Sequence, residues 1–142
     1  MMKGCNNLTF ALSSSLPPPS ANIEVNEIDD SALQAMLAHI PPVPEGEFVV
    51  YQTLFAHPEQ ADALAQLSAD FVKMAEDEPG TLALFIGRDM SDPTRFLVFE
   101  RYAGKDACMQ HLKRVAGHLG RMGGMVREQR RCVGVPITAA KD

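Results

Sequence analysis

From residue 46 onward the apolar positions follow two rhythms, short β-branched and aromatic runs alternating with stretches of helical spacing. Glu47-Phe-Val-Val-Tyr-Gln-Thr-Leu-Phe-Ala56 reads as a strand. Pro58 then stands where the first turn of a helix needs no amide hydrogen. Leu64, Leu67, Phe71, Val72 and Ala75 form an apolar stripe over a helix reaching about Glu76, while Glu59, Asp62, Asp70 and Lys73 point elsewhere. Glu78-Pro79-Gly80-Thr81 breaks it. Residues 81–88 and 95–102 predict two strands, hairpinned around the turn chemistry of Asp89-Met-Ser-Asp-Pro-Thr94. Gly104 and Asp106 open a second helix to about Leu119, which Gly120, Gly123 and Gly124 are expected to break up. Arg127 to Ile137 reads as a last strand.

The order strand, helix, strand, strand, helix, strand predicts an α+β fold. It is the ferredoxin-like βαββαβ layout, an antiparallel sheet with its helices on one face. A solvated sheet face should alternate apolar with polar positions, and these strands do not. Phe48, Val50 and Leu54 share one face of the first strand, and Val49, Tyr51 and Phe55 the other; in the third, Leu97 and Phe99 oppose Phe96 and Val98. Two helices cover one face only, so the second is left as a contiguous apolar patch. The expectation is a homodimer packed through that sheet face. The alternative is that the N-terminal part of the same chain covers it.

That N-terminal part has a different texture. Six of the ten prolines lie before residue 46, and Ser13, Ser14, Ser15 and Ser20 add to the polar character. Residues 1–45 read as a loose Pro/Ser-rich arm, 46–138 as the folded domain and 139–142 as a tail. Within the arm, Leu33, Met36, Leu37 and Ile40 share one face of a short helix over about 30–40, capped by Asp30 or Ser31 and stopped by Pro41 and Pro42. Such a helix needs a surface to lie on, whether on its own domain, over a pocket or on a partner subunit. A signal peptide is a weaker reading of the start, because Lys3 is its one basic residue and the apolar run Leu8 to Leu12 is short.

Composition narrows the classes. A chain of 142 residues holds one core. Its net charge of −5 argues against a nucleic-acid binder. Three cysteines make no disulfide framework, which fits a cytoplasmic protein. No apolar run approaches the ~18 residues of a membrane helix. From Arg101 to Arg131, eight bases face Asp106 and Glu128, a local surplus of +6 that would attract an anionic substrate or form a solvated face.

Few residues offer chemistry. The run Glu76-Asp77-Glu78 is expected to be a solvated helix cap. Glu100 shares a strand face with Phe96, Val98 and Tyr102, where a carboxylate needs a partner. Cys108, His111, Leu112, Val115 and Leu119 fall on the core side of the second helix. Of these, His111 suits proton abstraction near neutral pH. Cys108 reads as core, with no base to activate it. The four histidines have no metal-ligand spacing, and the glycines form no nucleotide-binding fingerprint.

Glu78-Pro79-Gly80-Thr81, the strand end Phe99-Glu-Arg-Tyr102 and Gly104-Lys-Asp-Ala-Cys-Met-Gln-His111 together resemble the antibiotic biosynthesis monooxygenase family over about residues 47–137. The resemblance implies a dimeric α+β barrel related to small quinol monooxygenases. It further implies O2-dependent oxygenation of a phenolic, quinol or polyketide-like aromatic substrate, with no metal, flavin or other cofactor. His111 matches the family's histidine in the second helix and is implied to be catalytic. Tyr51, Thr53, Tyr102, Glu100 and Arg101 are then candidates for substrate binding. The chain departs from the pattern where a second histidine often follows five residues later, since Ala116 holds that place. His118 lies two residues further, about 200° around the helix. Haem-degrading relatives use a pocket Trp and Asn; this chain has no Trp, and its four Asn lie in the arm. The alternative to an enzyme is a non-catalytic dimeric module that binds a small apolar ligand.

Overall fold

A computed structural model describes residues 6–7, 31, 34, 35, 38 and 42–138. The strands are β1 (Asn6–Asn7), β2 (Phe48–Ala56), β3 (Thr81–Arg88), β4 (Arg95–Tyr102) and β5 (Val126–Gly134). The helices are α1 (Ala61–Ala75), entered through a 3-10 turn at Pro58–Gln60, and α2 (Lys105–Gly123). All pairings are antiparallel and the strand order is β1-β5-β2-β4-β3. The four longer strands and two helices make the expected α+β, ferredoxin-like domain. Within the expected arm, Asn6 and Asn7 pair with Arg131 and Arg130 on the edge of β5. Ser31, Gln34 and Ala35 are helical and exposed, while the apolar stripe expected beside them lies outside the described residues.

The alternation of β2 and β4 divides the sheet cleanly. Phe48, Val50, Leu54 and Ala56 on β2 and Phe96, Val98 and Tyr102 on β4 are buried beneath the helices. Leu64, Leu67, Phe71 and Ala75 of α1 and Cys108, Leu112, Val115 and Ala116 of α2 close over them. Burying the larger of these side chains stabilises by about 1.5–3 kcal/mol each, which draws both helices to the same face. The other face is open: Tyr51 is 56% exposed, Phe85 67% and Leu97 45%. There the ring of Phe99 lies 5.1 Å from Tyr51 and 6.2 Å from Phe85, an aromatic strip across β2, β4 and β3.

The β3–β4 turn is held by its own acids. Asp89 accepts from the Ser91 amide at 2.7 Å, and Asp92 from the Thr94 amide at 3.0 Å and its hydroxyl at 2.7 Å. Those Thr94 donors hold the Asp92 carboxyl below the usual carboxylate range. The second helix corrects one expectation, since it runs through Gly117 and Gly120 to Gly123 instead of ending near Leu119. A mid-helix glycine costs about 1 kcal/mol, but Leu119 and Met122 pack on the core and carry the helix past.

Two close approaches seat α2. A Cβ on Gly80 would lie 2.4 Å from the Ala107 Cβ, so the Glu78–Thr81 turn touches the first turn of the helix. A Cβ on Gly104 would lie 2.3 Å from the Glu45 carbonyl oxygen, which accepts the Lys105 amide at 3.3 Å. The helix start is thus capped by the chain entering β2.

A histidine-bearing cavity between sheet and helices

The space between the covered sheet face and the two helices is not filled. It holds a cavity of about 70 Å³. Its walls are mostly apolar, among them Val43, Phe48, Val50, Leu54, Phe71, Leu84, Val98, Leu112, Val115 and Leu119. Into this lining project Gln52, Ser68, Glu100, Tyr102, Cys108, His111 and Arg131. Inward residues of β2, β4 and β5 supply the sheet-side groups because strand side chains alternate with a period of two. Cys108, His111, Leu112 and Val115 reach it from one stripe of α2.

His111 is 4% exposed, and its Nδ1 lies 2.5 Å from Oε1 of Glu78. A carboxylate accepts, so Nδ1 carries the hydrogen and Nε2 is the ring nitrogen left to meet a ligand. Glu78 is itself held firmly. The Thr81 hydroxyl donates to Oε1 at 2.8 Å, and Arg114 Nη1 donates to Oε2 at 2.8 Å and to the Met74 carbonyl at 3.1 Å. The expectation of a solvated cap therefore fails for Glu78, whose side chain is 9% exposed. The Pro79-Gly80 turn folds it back against α2. The Glu-Pro-Gly-Thr run marks the turn in the sequence but not the burial of Glu78.

Glu100 finds neutral partners. Tyr102 donates its hydroxyl to Oε1 at 3.0 Å, and Gln52 Nε2 donates to Oε2 at 2.9 Å. Gln52 Oε1 in turn accepts from Gln129 Nε2 and, at 3.3 Å, from Arg131 Nη2. A polar row thus crosses the cavity floor from β4 through β2 to β5. Burial, with Glu100 beside it, holds the Tyr102 phenol well above its ordinary pKa. It stays protonated and acts as a donor. Burial likewise pushes the Cys108 thiol up to about 12. A thiol so held is a poor nucleophile.

Of the residues marked from the sequence, the cavity brings together His111, Glu100 and Tyr102. It excludes Tyr51, Thr53 and Arg101, which stand on the opposite sheet face; Arg101 there pairs with Glu47. Where both faces of a strand are apolar, alternation separates two sets of residues but does not say which set meets the helices. His118 does not line the cavity, and its ring packs 5.7 Å from that of Phe71. Gln52 carries neither motif nor spacing signal in the sequence, and Arg131 is marked there only as one of the eight bases of the 101–131 run. Among the described residues no cluster of three or more His, Cys, Asp or Glu could hold a metal ion. No helix among them is long and apolar enough to cross a membrane.

Fold and site together define a ferredoxin-like α+β domain with a small, mostly apolar, histidine-bearing cavity. The sequence model of antibiotic biosynthesis monooxygenases matches residues 47–117, and the chain belongs to that family. Solved structures share the fold. A Deinococcus radiodurans protein described as a candidate antibiotic biosynthesis monooxygenase is 23% identical, with a TM-score of 0.59 over 67% of this chain and 97% of its own. A similarly described protein from Nitrosomonas europaea is 15% identical, with a TM-score of 0.60 over 69% and 96%. Rv0793 from Mycobacterium tuberculosis is 18% identical, with a TM-score of 0.59 over 67% and 99%. No curated protein sequence matches the chain.

Proposed function

We propose that this chain is a cofactor-independent monooxygenase that oxygenates a small phenolic or quinol-type aromatic substrate with O2. The observation that carries this reading is the Glu78–His111 pair in the wall of a mostly apolar cavity, in a chain of a monooxygenase family. Glu78 fixes the ring so that Nε2 can take a proton from the substrate hydroxyl. The resulting phenolate is electron-rich enough to pass an electron to O2. Recombination puts a hydroperoxide on an activated ring carbon that bears hydrogen, and loss of water leaves a carbonyl. For an anthrone-type carbon the balance is one ring methylene and one O2 giving one carbonyl and one water. The chain's part is to supply the base, orient the ring and exclude water.

The cavity's size bears on the substrate. Its volume of about 70 Å³ is under half the ~150 Å³ of an apolar cavity that admits benzene. One ring enters with modest side-chain movement, whereas a polycyclic polyketide needs the helices to part. Glu100 and Tyr102 are the substrate-facing groups of the floor in this reading. The working unit is a homodimer closed over the open sheet face, a reading supported by the exposed Tyr51–Phe99–Phe85 strip. Sedimentation that finds a monomer at micromolar concentration removes the dimer.

An oxygen electrode tests the activity over a panel of hydroquinones, phenols and anthrone. The expected result is uptake of one O2 per substrate oxygenated, lost in both His111→Ala and His111→Phe. Turnover retained in both variants takes His111 out of the mechanism. The mostly apolar lining also favours a second reading, a dimeric module that binds a small apolar ligand. Ligand-induced stabilisation with no oxygen consumed across the panel selects it.

A further inference from the structure

Arg131 is the one charged group of the cavity floor whose charge is not answered among the described residues. Glu100 spends both oxygens on Tyr102 and Gln52. Glu78 spends both on His111, Thr81 and Arg114. The Ser68 hydroxyl is spent on the Leu64 carbonyl at 2.7 Å. Arg131 lines the same cavity, yet none of the ion pairs among the described residues includes it. Its one side-chain hydrogen bond there is a long one, Nη2 to the neutral Gln52 amide oxygen at 3.3 Å. Its Nε is buried and has no hydrogen-bond partner among those residues.

Arg131 as a whole is only partly buried, but a buried donor left idle on a cation whose partner is neutral is costly unless something else completes it. Nε–H and an Nη–H point the same way along one side of the guanidinium, the fork that matches two oxygens of a carboxylate or one shared oxyanion. Gln52 links Arg131 to Glu100 and keeps the two charges apart, so the carboxylate does not occupy that fork. The acid is thereby withheld from the base, and the fork is left for a ligand.

We infer that the cavity selects a one-ring aromatic ligand bearing an anionic oxygen, and that Arg131 is the residue that binds it. This rests on the proposed function only in taking the cavity as the substrate site. The anionic end would sit at β5, and the ring would extend toward α2, where His111 stands. Carboxylate and phenolate share the required chemistry, and the probes below separate them.

The experiment reads binding, not turnover, on the full chain. Thermal unfolding and calorimetry are run with benzoate, benzamide, 4-hydroxybenzoate, and 4-nitrophenol above and below its ionisation. A preference of ~10–100-fold for benzoate over benzamide is expected, the range of a hydrogen bond to a charged group. Arg131→Gln should abolish that preference and Arg131→Lys should retain part of it. A preference for ionised nitrophenol without one for benzoate assigns the phenolate source, and the reverse assigns the carboxylate. Equal affinity for the charged and neutral member of both pairs in the wild type overturns the inference. So does a preference that survives in Arg131→Gln, or no binding of any anionic probe. The wild-type comparison stands even where a variant fails to fold. Oxygen uptake with neutral hydroquinone, found without any preference for an anion, keeps the monooxygenase reading and removes this one.

Discussion

The carboxylate of Glu78 accepts the Nδ1 hydrogen of His111 at 2.5 Å, across 33 positions of sequence. The pair joins the turn before β3 to the middle of α2. Both side chains are almost wholly buried, so neither can reorient without leaving a partner behind. Glu78→Gln keeps one acceptor oxygen but sets an amide NH2 against the donors Arg114, Thr81 and His111. The expected loss of stability is about 1–3 kcal/mol, read from urea unfolding. In the proposed reaction Glu78 acts through His111, so kcat should fall with KM little changed, and by less than the ~10²–10⁴-fold that a general base supplies. An unchanged kcat would make the pair a structural cap alone.

Much of this site was legible before the fold was known, and the exceptions share a cause. The β3 and β4 boundaries follow from local chemistry, the Pro79-Gly80 break and the Asp89–Thr94 turn, and they stand as expected. His111 was legible because it lies in an apolar stripe at helical spacing. Glu78 was not, because its burial depends on α2 docking against a glycine in a turn far back along the chain. Gly80 and Ala107 must touch for that to happen, and no single-residue pattern records a contact. Tyr51, Thr53 and Arg101 stand on the open face, which the sequence does not reveal because both faces of β2 and β4 are apolar. The helix runs on past Leu119 for a similar reason, since propensity is local while the packing of Leu119 and Met122 is not.

His118 offers a control inside the same helix. Its ring is half-buried against Phe71, outside the cavity lining. Burial first, and the Arg121 charge second, hold its pKa below the ordinary histidine value. His118→Ala should leave oxygen uptake within about twofold of wild type, while His111→Ala abolishes it. A depressed folded pKa means that protonation favours the unfolded chain. The stability His118 contributes is therefore present above its unfolded pKa of about 6.5 and lost as pH falls through the folded value. His118→Phe should flatten that part of the stability–pH curve. An equal loss of activity in both alanine variants would place His118 in the mechanism.

Gly80 gives a test in which the sign of the effect is informative. In an unstrained position, Gly→Ala stabilises by about 0.4–1 kcal/mol through the unfolded chain. Gly80 has no positive φ, so backbone conformation does not forbid alanine. The obstacle is the Ala107 Cβ, 2.4 Å from where the new Cβ would lie. Gly80→Ala should therefore destabilise, by about 1–3 kcal/mol as overpacking does, and push α2 away from Glu78. Ala107→Gly removes the opposing methyl. The double variant should recover part of the loss, with a coupling of ~0.5–3 kcal/mol in a thermodynamic cycle. Additive single effects would mean that the contact between the turn and α2 does not set the helix position.

Cys108 should be chemically silent in the folded protein and ordinary in the unfolded one. It is 7% exposed, and burial, assisted by the Glu100 charge and opposed by Arg131, raises its pKa from 9.0 to about 12. About three pH units lower the thiolate fraction near neutrality by about a thousandfold, and only the thiolate alkylates. Iodoacetamide at pH of about 8 should label the Cys108 peptide at least about a thousandfold more slowly in the native protein than in urea. Linkage gives a second reading of the same group. A folded pKa above the unfolded one means that the unfolded chain releases the proton first as pH rises. The stability from the protonated thiol is full below the unfolded value of 9.0 and is lost as pH climbs toward about 12. Cys108→Ala should flatten part of that alkaline loss, leaving the share due to Tyr102, whose phenol is raised in the same direction. Rapid native labelling would show instead that the cavity opens readily to solvent on the side of α2.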